Sequence, residues 1–241
     1  DKTQMDRLML GYDYKFYSDV GVKIPIYAPI GHLIVVGGSG SGKSTSILYW
    51  IYKLKSQYCK LYIVDFKASH EFEGITDKER FGEFEDAYDV ILRFYDEFMN
   101  TQEGGEECYK ILLIDEIAGL LTHYSMSKDG KAKADKIRNI MSSILMLGRS
   151  RKCFLWLSMQ RYTASIFPAS SGSADNFHIY VGLGRLTVDG RKGLFAGEHM
   201  EGEENLQFGM GKGIVLIDGQ NLRALVLPKI SKKKILGLLQ N

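Results

Sequence analysis

The chain has little cysteine: Cys59, Cys108 and Cys153 are the only 3 in 241 residues. They stand far apart with no CxxC spacing, which excludes a disulfide framework and a thiolate zinc site and fits a reducing compartment. The 5 histidines, His32, His70, His123, His178 and His199, show no metal-ligand spacing and read as structural. No apolar run approaches the roughly 20 residues that cross a bilayer, and no signal peptide opens the chain. The first residue, Asp1 rather than Met, reads as that of a fragment. The expected localisation is therefore cytoplasmic, as a free protein or as the cytoplasmic domain of a membrane-anchored one. There is no internal repeat, low-complexity segment or linker, so one substantial domain is expected, and 45% hydrophobic residues suffice for its core.

The net charge of +2 says little, but its distribution is uneven. Asp65–Glu116 holds 16 acidic and 5 basic residues, whereas Ser125–Lys152 holds 8 basic residues against Asp129 and Asp135. Such segregation marks a polyanion-facing surface or a plain solvated face.

Hydrophobic periodicity gives the element order. Asp1–Gly31 alternates in KFYSDV and VKIPIYAPI and reads as a short β hairpin, a β extension over residues 1–30 ahead of a main domain at 31–241. Apolar runs at Leu33–Val36, Leu61–Phe66, Ile111–Ile114 and Phe154–Ser158 read as buried strands, with further strands at Ile179–Val181, Ile214–Ile217 and Ala224–Leu227. Helical spacing appears at Ser44–Leu54, Phe84–Met99 and Ile137–Leu147, while Thr122–Asp135 is polar and reads as a loop. Tyr49, Trp50 and Tyr52 in the first helix read as packing residues. Alternating strands and helices predict an α/β fold, a mainly parallel sheet covered on both faces, with ligands at the carboxyl ends of its strands.

Between the first buried strand and the first helix lies GGSGSGKST, with Gly37, Gly42, Lys43 and Ser44 at the fixed positions of a GxxxxGK[ST] phosphate loop. Glycines let the backbone approach a phosphate closely, so Gly37, Gly38, Ser39, Gly40, Ser41 and Gly42 read as a cradle opening a helix at Lys43, Ser44 and Thr45. Lys43 is expected to reach the β and γ phosphates of ATP, and Ser44 to hold Mg²⁺. A phosphate site of this kind needs a carboxylate for the metal and another to activate water. ILLIDE supplies both: Asp115 as the Walker B aspartate for Mg²⁺, Glu116 as the residue that aligns the attacking water. No NKxD guanine-reading motif is present, and no LSGGQ-like signature precedes ILLIDE, which excludes GTPases and ABC ATPases. The paired Asp-Glu leaves the RecA-like group of P-loop NTPases.

The segments IPIYAPIGHLIVVGGSGSGKST, LYIVDFKASHEFEGI, ILLIDEIAGLL, LGRSRKCFLWLSMQR, GLGRLTVDGRKGLFAGE and FGMGKGIVLI, in that order, resemble the FtsK/SpoIIIE branch of the FtsK/HerA DNA-translocase superfamily, including FtsK-like conjugative coupling proteins. The resemblance spans about Lys23–Ile217. It implies an ATP-driven motor that works as a homo-oligomeric, hexameric ring and moves DNA without reading its sequence. It places Gln160 of SMQR as a γ-phosphate sensor and Arg191 of VDGRKG as an arginine acting in trans, with Arg149 and Arg185 as competitors. Asp65 and Lys67 match the family's DPK element, with Phe66 in place of the proline. Lys212 in GMGKG is suggested as a pore-loop contact, and Lys128, Lys131 and Lys133 are DNA candidates from composition. The basic tail Lys229, Lys232, Lys233, Lys234 followed by ILGLL reads as an amphipathic closing segment. No winged-helix module follows the motor motifs, so conjugative or mobile-element transfer, with a relaxase or a membrane-anchored assembly as partner, is expected ahead of a chromosome-type translocase. The alternative within the superfamily is a type VII secretion ATPase, whose clients are proteins.

Overall fold

The computed structural model describes residues 6–55, 59–105, 108–206 and 208–241. Strands β1 (Arg7–Asp13), β2 (Pro25–Pro29), β3 (Leu33–Gly37), β4 (Cys59–Asp65), β5 (Phe81–Glu83), β6 (Tyr109–Asp115), β7 (Cys153–Met159), β8 (Ile179–Leu183), β9 (Lys212–Ile217) and β10 (Arg223–Val226) form one sheet in the order β2-β1-β10-β9-β8-β3-β7-β6-β4-β5. The strands from β8 to β5 run parallel, and those from β8 to β2 pair antiparallel. The central strands are the apolar runs: every residue of β3 and of β7 is buried, as expected where helices cover both faces of a parallel sheet. Strand β2 alternates exposed and buried positions and places Pro25 and Pro29 on an outer edge, where a missing N–H costs no ladder bond.

The helices are α1 (Tyr14–Val20), α2 (Lys43–Lys55), α3 (Ala87–Asn100), α4 (Ile117–Ser125), α5 (Lys128–Leu147), α6 (Val188–Leu194) and α7 (Lys232–Gln240). Period-2 alternation splits the core into two. Ile34, Val36, Leu112 and Ile114 face a layer containing Phe94 of α3, Leu120 of α4 and Ile137 and Ile144 of α5. Leu33, Val35, Ile111 and Leu113 face α2 and α7 through Ile47, Leu48, Ile51, Ile235 and Leu239. Trp50 is fully buried and donates from Nε1 to the Leu10 carbonyl at 2.8 Å, while Tyr49 reaches Met9 Sδ at 2.9 Å. The N-terminal strand is thereby fastened to the helix that follows the glycine-rich loop.

Two expectations are corrected. The strands β1 and β2 pair antiparallel, but KFYSDV is no strand: α1 links them, capped by Asp13, whose side chain accepts from Phe16 N, and ended by Gly21 at φ +68°. Thr122–Asp135 is no loop either. It contains the end of α4 and the start of α5, whose N-cap Ser127 accepts from Gly130 N at 3.0 Å, a contact worth about 1 kcal/mol. The corner is tight, because a Cβ on Gly130 would lie 2.0 Å from the Tyr124 carbonyl oxygen. The lysines of this stretch hid the period by facing water; Ala134, Ile137, Ile140 and Met141 carry it inward.

At the amino end of β3, His32 and His178 stack with ring centroids 5.0 Å apart. His178 Nδ1 accepts from His32 N at 2.8 Å, and His32 Nδ1 accepts from Leu155 N at 3.0 Å. Burial, with His178 beside it, pushes the His32 imidazole down to about 3, so it is neutral and structural.

Candidate nucleotide-binding site

The carboxyl ends of β3, β7, β6 and β4 lie side by side, with Val36 opposite Met159, Ile114 opposite Leu157 and Asp65 opposite Asp115. The glycine-rich loop leaves β3 at this edge. Gly40 and Gly42 hold φ of +78° and +86°, which L side chains rarely adopt. A Cβ on Gly42 would also stand 2.9 Å from Gly211 N, in the late GMGKG turn. That turn is hydrogen-bonded to the loop, Gly211 N donating to the Ser41 carbonyl at 2.9 Å. A buried Ser41 hydroxyl has no partner among the described residues.

Lys43, first residue of α2, donates from Nζ to Glu116 Oε1 at 2.6 Å, with side-chain exposures of 9% and 13%. Lys67 Nζ approaches the other oxygen at 3.9 Å. Glu116 opens α4 in the left-handed region, φ 55° and ψ 50°, a conformation costing an L residue about 1–2 kcal/mol. Its amide donates to Ser158 Oγ at 3.0 Å, and Ser158 donates in turn to Asp115 Oδ1 at 2.5 Å. Ser158, on the strand between those of the loop and of Asp115, thus orients both acidic residues.

Asp115 is 5% exposed and its carboxyl is pushed up to about 6. Burial is the main cause; Glu116 and Asp65 add repulsion, against the Ser158 hydrogen bond and the Lys43 charge. Asp65 accepts from Ser69 N and Oγ at 3.1 Å. The folded chain therefore keeps a proton on Asp115 up to about pH 6 that the unfolded chain releases near pH 4. Stability from this group falls as pH rises through that window, and the cost is full above it. Asp115→Asn should raise the stability of the ligand-free protein by about 2–3 kcal/mol at pH 7 and by much less at pH 4, as urea denaturation at the two pH values will read.

A cavity of about 350 Å³ is lined by Gly38, Ser39, Gly40, Ser41, Gly42, Lys43, Ser44 and Thr45 with Glu71, Glu116, Gln160, Met210 and Lys232. Ser44 donates to Glu71 Oε2 at 2.6 Å, and Lys232 of α7 pairs with Glu71 Oε1 at 2.5 Å. Neither Glu71 nor Lys232 stands out in the sequence; one follows the β4 motif without a pattern of its own, the other sits in a basic tail. The donor set suits ATP and Mg²⁺: a loop with glycine at the positive-φ positions 40 and 42, the Lys43 ammonium and the Ser44 hydroxyl line the cavity, and the buried Asp115 carboxyl lies next to Glu116 at the end of β6.

The arginines lie elsewhere. Arg191 is outside this cavity, gripped by both carboxylate oxygens of Glu203, donating to the Glu198 carbonyl and lying over Phe195. Arg185 lines an adjoining cavity together with Gly38, Ser39 and Gln160. Arg149 lies near His178, whose basicity burial and the arginine's charge lower, at the amino end of β3. Lys128 and Lys131 are exposed on α5, Lys133 lies over the Tyr88 and Tyr124 rings, and Lys212 starts β9 with its ammonium over Tyr14. No helix among the described residues is long and apolar enough to cross a membrane.

This is the fold of the RecA-like P-loop ATPases. No protein-family model matches the chain, and no curated protein matches it in sequence. Solved structures do. The pCW3 conjugation coupling protein TcpA, in a monomer form with ATPγS, superposes with a TM-score of 0.74 at 19% identity, over 97% of this chain and 70% of that one. The cytoplasmic domain of the Thermomonospora curvata type VII secretion ATPase EccC gives 0.67 at 17%, over 94% of this chain. The genome packaging NTPase B204 of Sulfolobus turreted icosahedral virus 2, with sulfate, gives 0.57 at 16%, over 83% of this chain and 98% of that one. The chain spans only 29% of the EccC domain. At these identities the likeness establishes a shared fold.

Proposed function

We propose that residues 31–241 are the ATP-hydrolysing motor of a DNA translocase that works as a ring, most fittingly a hexamer, with 1–30 as its β extension. Conjugative or mobile-element transfer is the setting that the likeness to TcpA favours, with a relaxase or a membrane-anchored assembly as partner. The observation that carries the reading is the convergence of Lys43 and Glu116, 2.6 Å apart, on one cavity with the glycine loop and Ser44.

In this reading Lys43 binds the β and γ phosphates, and Ser44 and Asp115 supply the oxygens that hold Mg²⁺. Bound Mg²⁺ would neutralise phosphate charge as the terminal phosphoryl leaves. Glu116 releases Lys43 to the nucleotide and turns its carboxylate to the attacking water. Gln160, exposed at the cavity wall, contacts the terminal phosphate. Arg191 of a neighbouring subunit acts in trans only once the Glu203 pair is exchanged for phosphate; Arg185 is the competitor already beside the loop.

DNA is gripped through phosphates, so sequence is not read and binding weakens with salt. Duplex DNA should stimulate hydrolysis several-fold at about 50 mM salt and lose most of that effect by about 200 mM, with Lys128→Ala and Lys131→Ala each lowering the salt slope by about 1. Phosphate release across a salt series will show it. Hydrolysis indifferent to DNA but raised by a helical signal peptide would favour the protein-secretion reading, which the likeness to EccC supports.

A further inference from the structure

Three electrostatic contacts span the cavity, and the motifs account for only one side of them. Lys43 pairs with Glu116. Ser44, the residue expected to give its hydroxyl to Mg²⁺, instead donates it to Glu71 at 2.6 Å. Glu71 is held from behind by Lys232 at 2.5 Å. Lys232 comes from the far end of the chain, on the first turn of α7, yet both it and Glu71 line the same cavity as the glycine loop.

The mounting of Lys232 is rigid. Ser231 caps α7 by accepting from Lys234 N at 3.2 Å, and Ile235 and Leu239 are buried in the core layer shared with α2. Lys55, in the last turn of α2, donates to the Leu239 carbonyl at 2.6 Å. Gln240 Nε2 donates to the Glu73 carbonyl at 3.0 Å, tying the end of α7 to the segment that carries Glu71. Helix α7 is thus docked on the phosphate-loop helix and aims its first-turn lysine into the cavity. Charge finishes the argument. Glu71 answers both groups at once, accepting from Ser44 on one carboxylate oxygen and from Lys232 on the other. A second ammonium therefore waits in the cavity, neutralised by one carboxylate that also occupies the metal-site hydroxyl.

We propose that Lys232 is a nucleotide-binding residue and Glu71 its placeholder. When a polyphosphate with its cation enters, Ser44 leaves Glu71 for the cation and Lys232 exchanges Glu71 for a phosphate oxygen, so that α7 completes the cavity wall. This rests on the nucleotide reading of the cavity and adds a residue that the motifs do not assign.

Opposite effects of the two partners test it. Equilibrium binding of Mg·ATPγS, Mg·ADP and adenosine to the whole chain is measured for wild type, Lys232→Ala, Lys232→Arg and Glu71→Gln, with each variant's thermal transition recorded. Lys232→Ala should weaken Mg·ATPγS about tenfold and leave adenosine unchanged, Lys232→Arg should restore most of the affinity, and Glu71→Gln should tighten Mg·ATPγS severalfold. If Lys232 only braces Glu71, the two removals shift affinity in the same direction, and the proposal is overturned. Unchanged affinity in Lys232→Ala with a wild-type thermal transition overturns it as well. A wild-type chain that binds none of the three ligands refutes the nucleotide reading itself, a result distinct from either.

Discussion

Glu116→Gln is expected to stop turnover and keep the nucleotide. Phosphate release should fall about 10²–10⁴-fold, the usual contribution of a positioned base, while Mg·ATPγS binds more tightly than to wild type. Both effects trace to one carboxylate. Glu116 Oε1 sits 2.6 Å from Lys43 Nζ, so in the proposed mechanism an incoming γ-phosphate displaces a carboxylate from the cation that receives it. A glutamine of the same shape no longer holds Lys43 by charge, and it also cannot accept a proton from water. The bond from the residue-116 amide to Ser158 survives the change, so the start of α4 keeps its place. Steady-state phosphate release beside equilibrium binding separates the two consequences; loss of both activity and affinity would show that Glu116 serves chiefly to shape the loop.

Lys43→Ala has the opposite signature in binding. It removes the cation proposed to meet the transferring phosphoryl, and hydrolysis should drop by roughly 10²–10³-fold or more. Affinity should drop with it, because the loop loses its only side-chain charge. The ligand-free protein suffers too. Glu116, 13% exposed, is left with Lys67 at 3.9 Å, itself half in solvent. An ill-paired carboxylate at a largely enclosed position costs about 1–3 kcal/mol, enough to lower the thermal midpoint by several degrees. Lys43→Arg keeps the charge and should recover stability more than activity, since a planar guanidinium does not fit where an ammonium point charge is wanted.

What the sequence made legible is what is local in the chain. The order of strand, glycine loop and helix is contiguous, so Gly37–Thr45 is legible as one motif, and the ILLIDE run puts Asp115 and Glu116 at a strand end. Residues joined only by the fold were invisible. Ser158 reads as another small residue in an apolar strand until β7 is seen between β3 and β6. Glu71 and Lys232 are 161 positions apart and carry no period or motif that pairs them. The antiparallel half of the sheet, where β1 and β2 join β10, was hidden for the same reason. The start of helix α5 is not legible in the sequence because its exposed face is dense in lysine, and amphipathic spacing is judged by the apolar face alone. Arg191 shows the reverse case: a motif can name a residue, but only its surroundings reveal that Glu203 already holds it.

The most direct measurement is the rate of phosphate release from Mg·ATP by the purified chain in low salt with duplex DNA, for wild type and Glu116→Gln side by side. The account predicts steady release by wild type, slower without DNA, and at least about a hundredfold less from Glu116→Gln. Equal release by both proteins, or none by wild type that has been shown to bind the nucleotide, would contradict it.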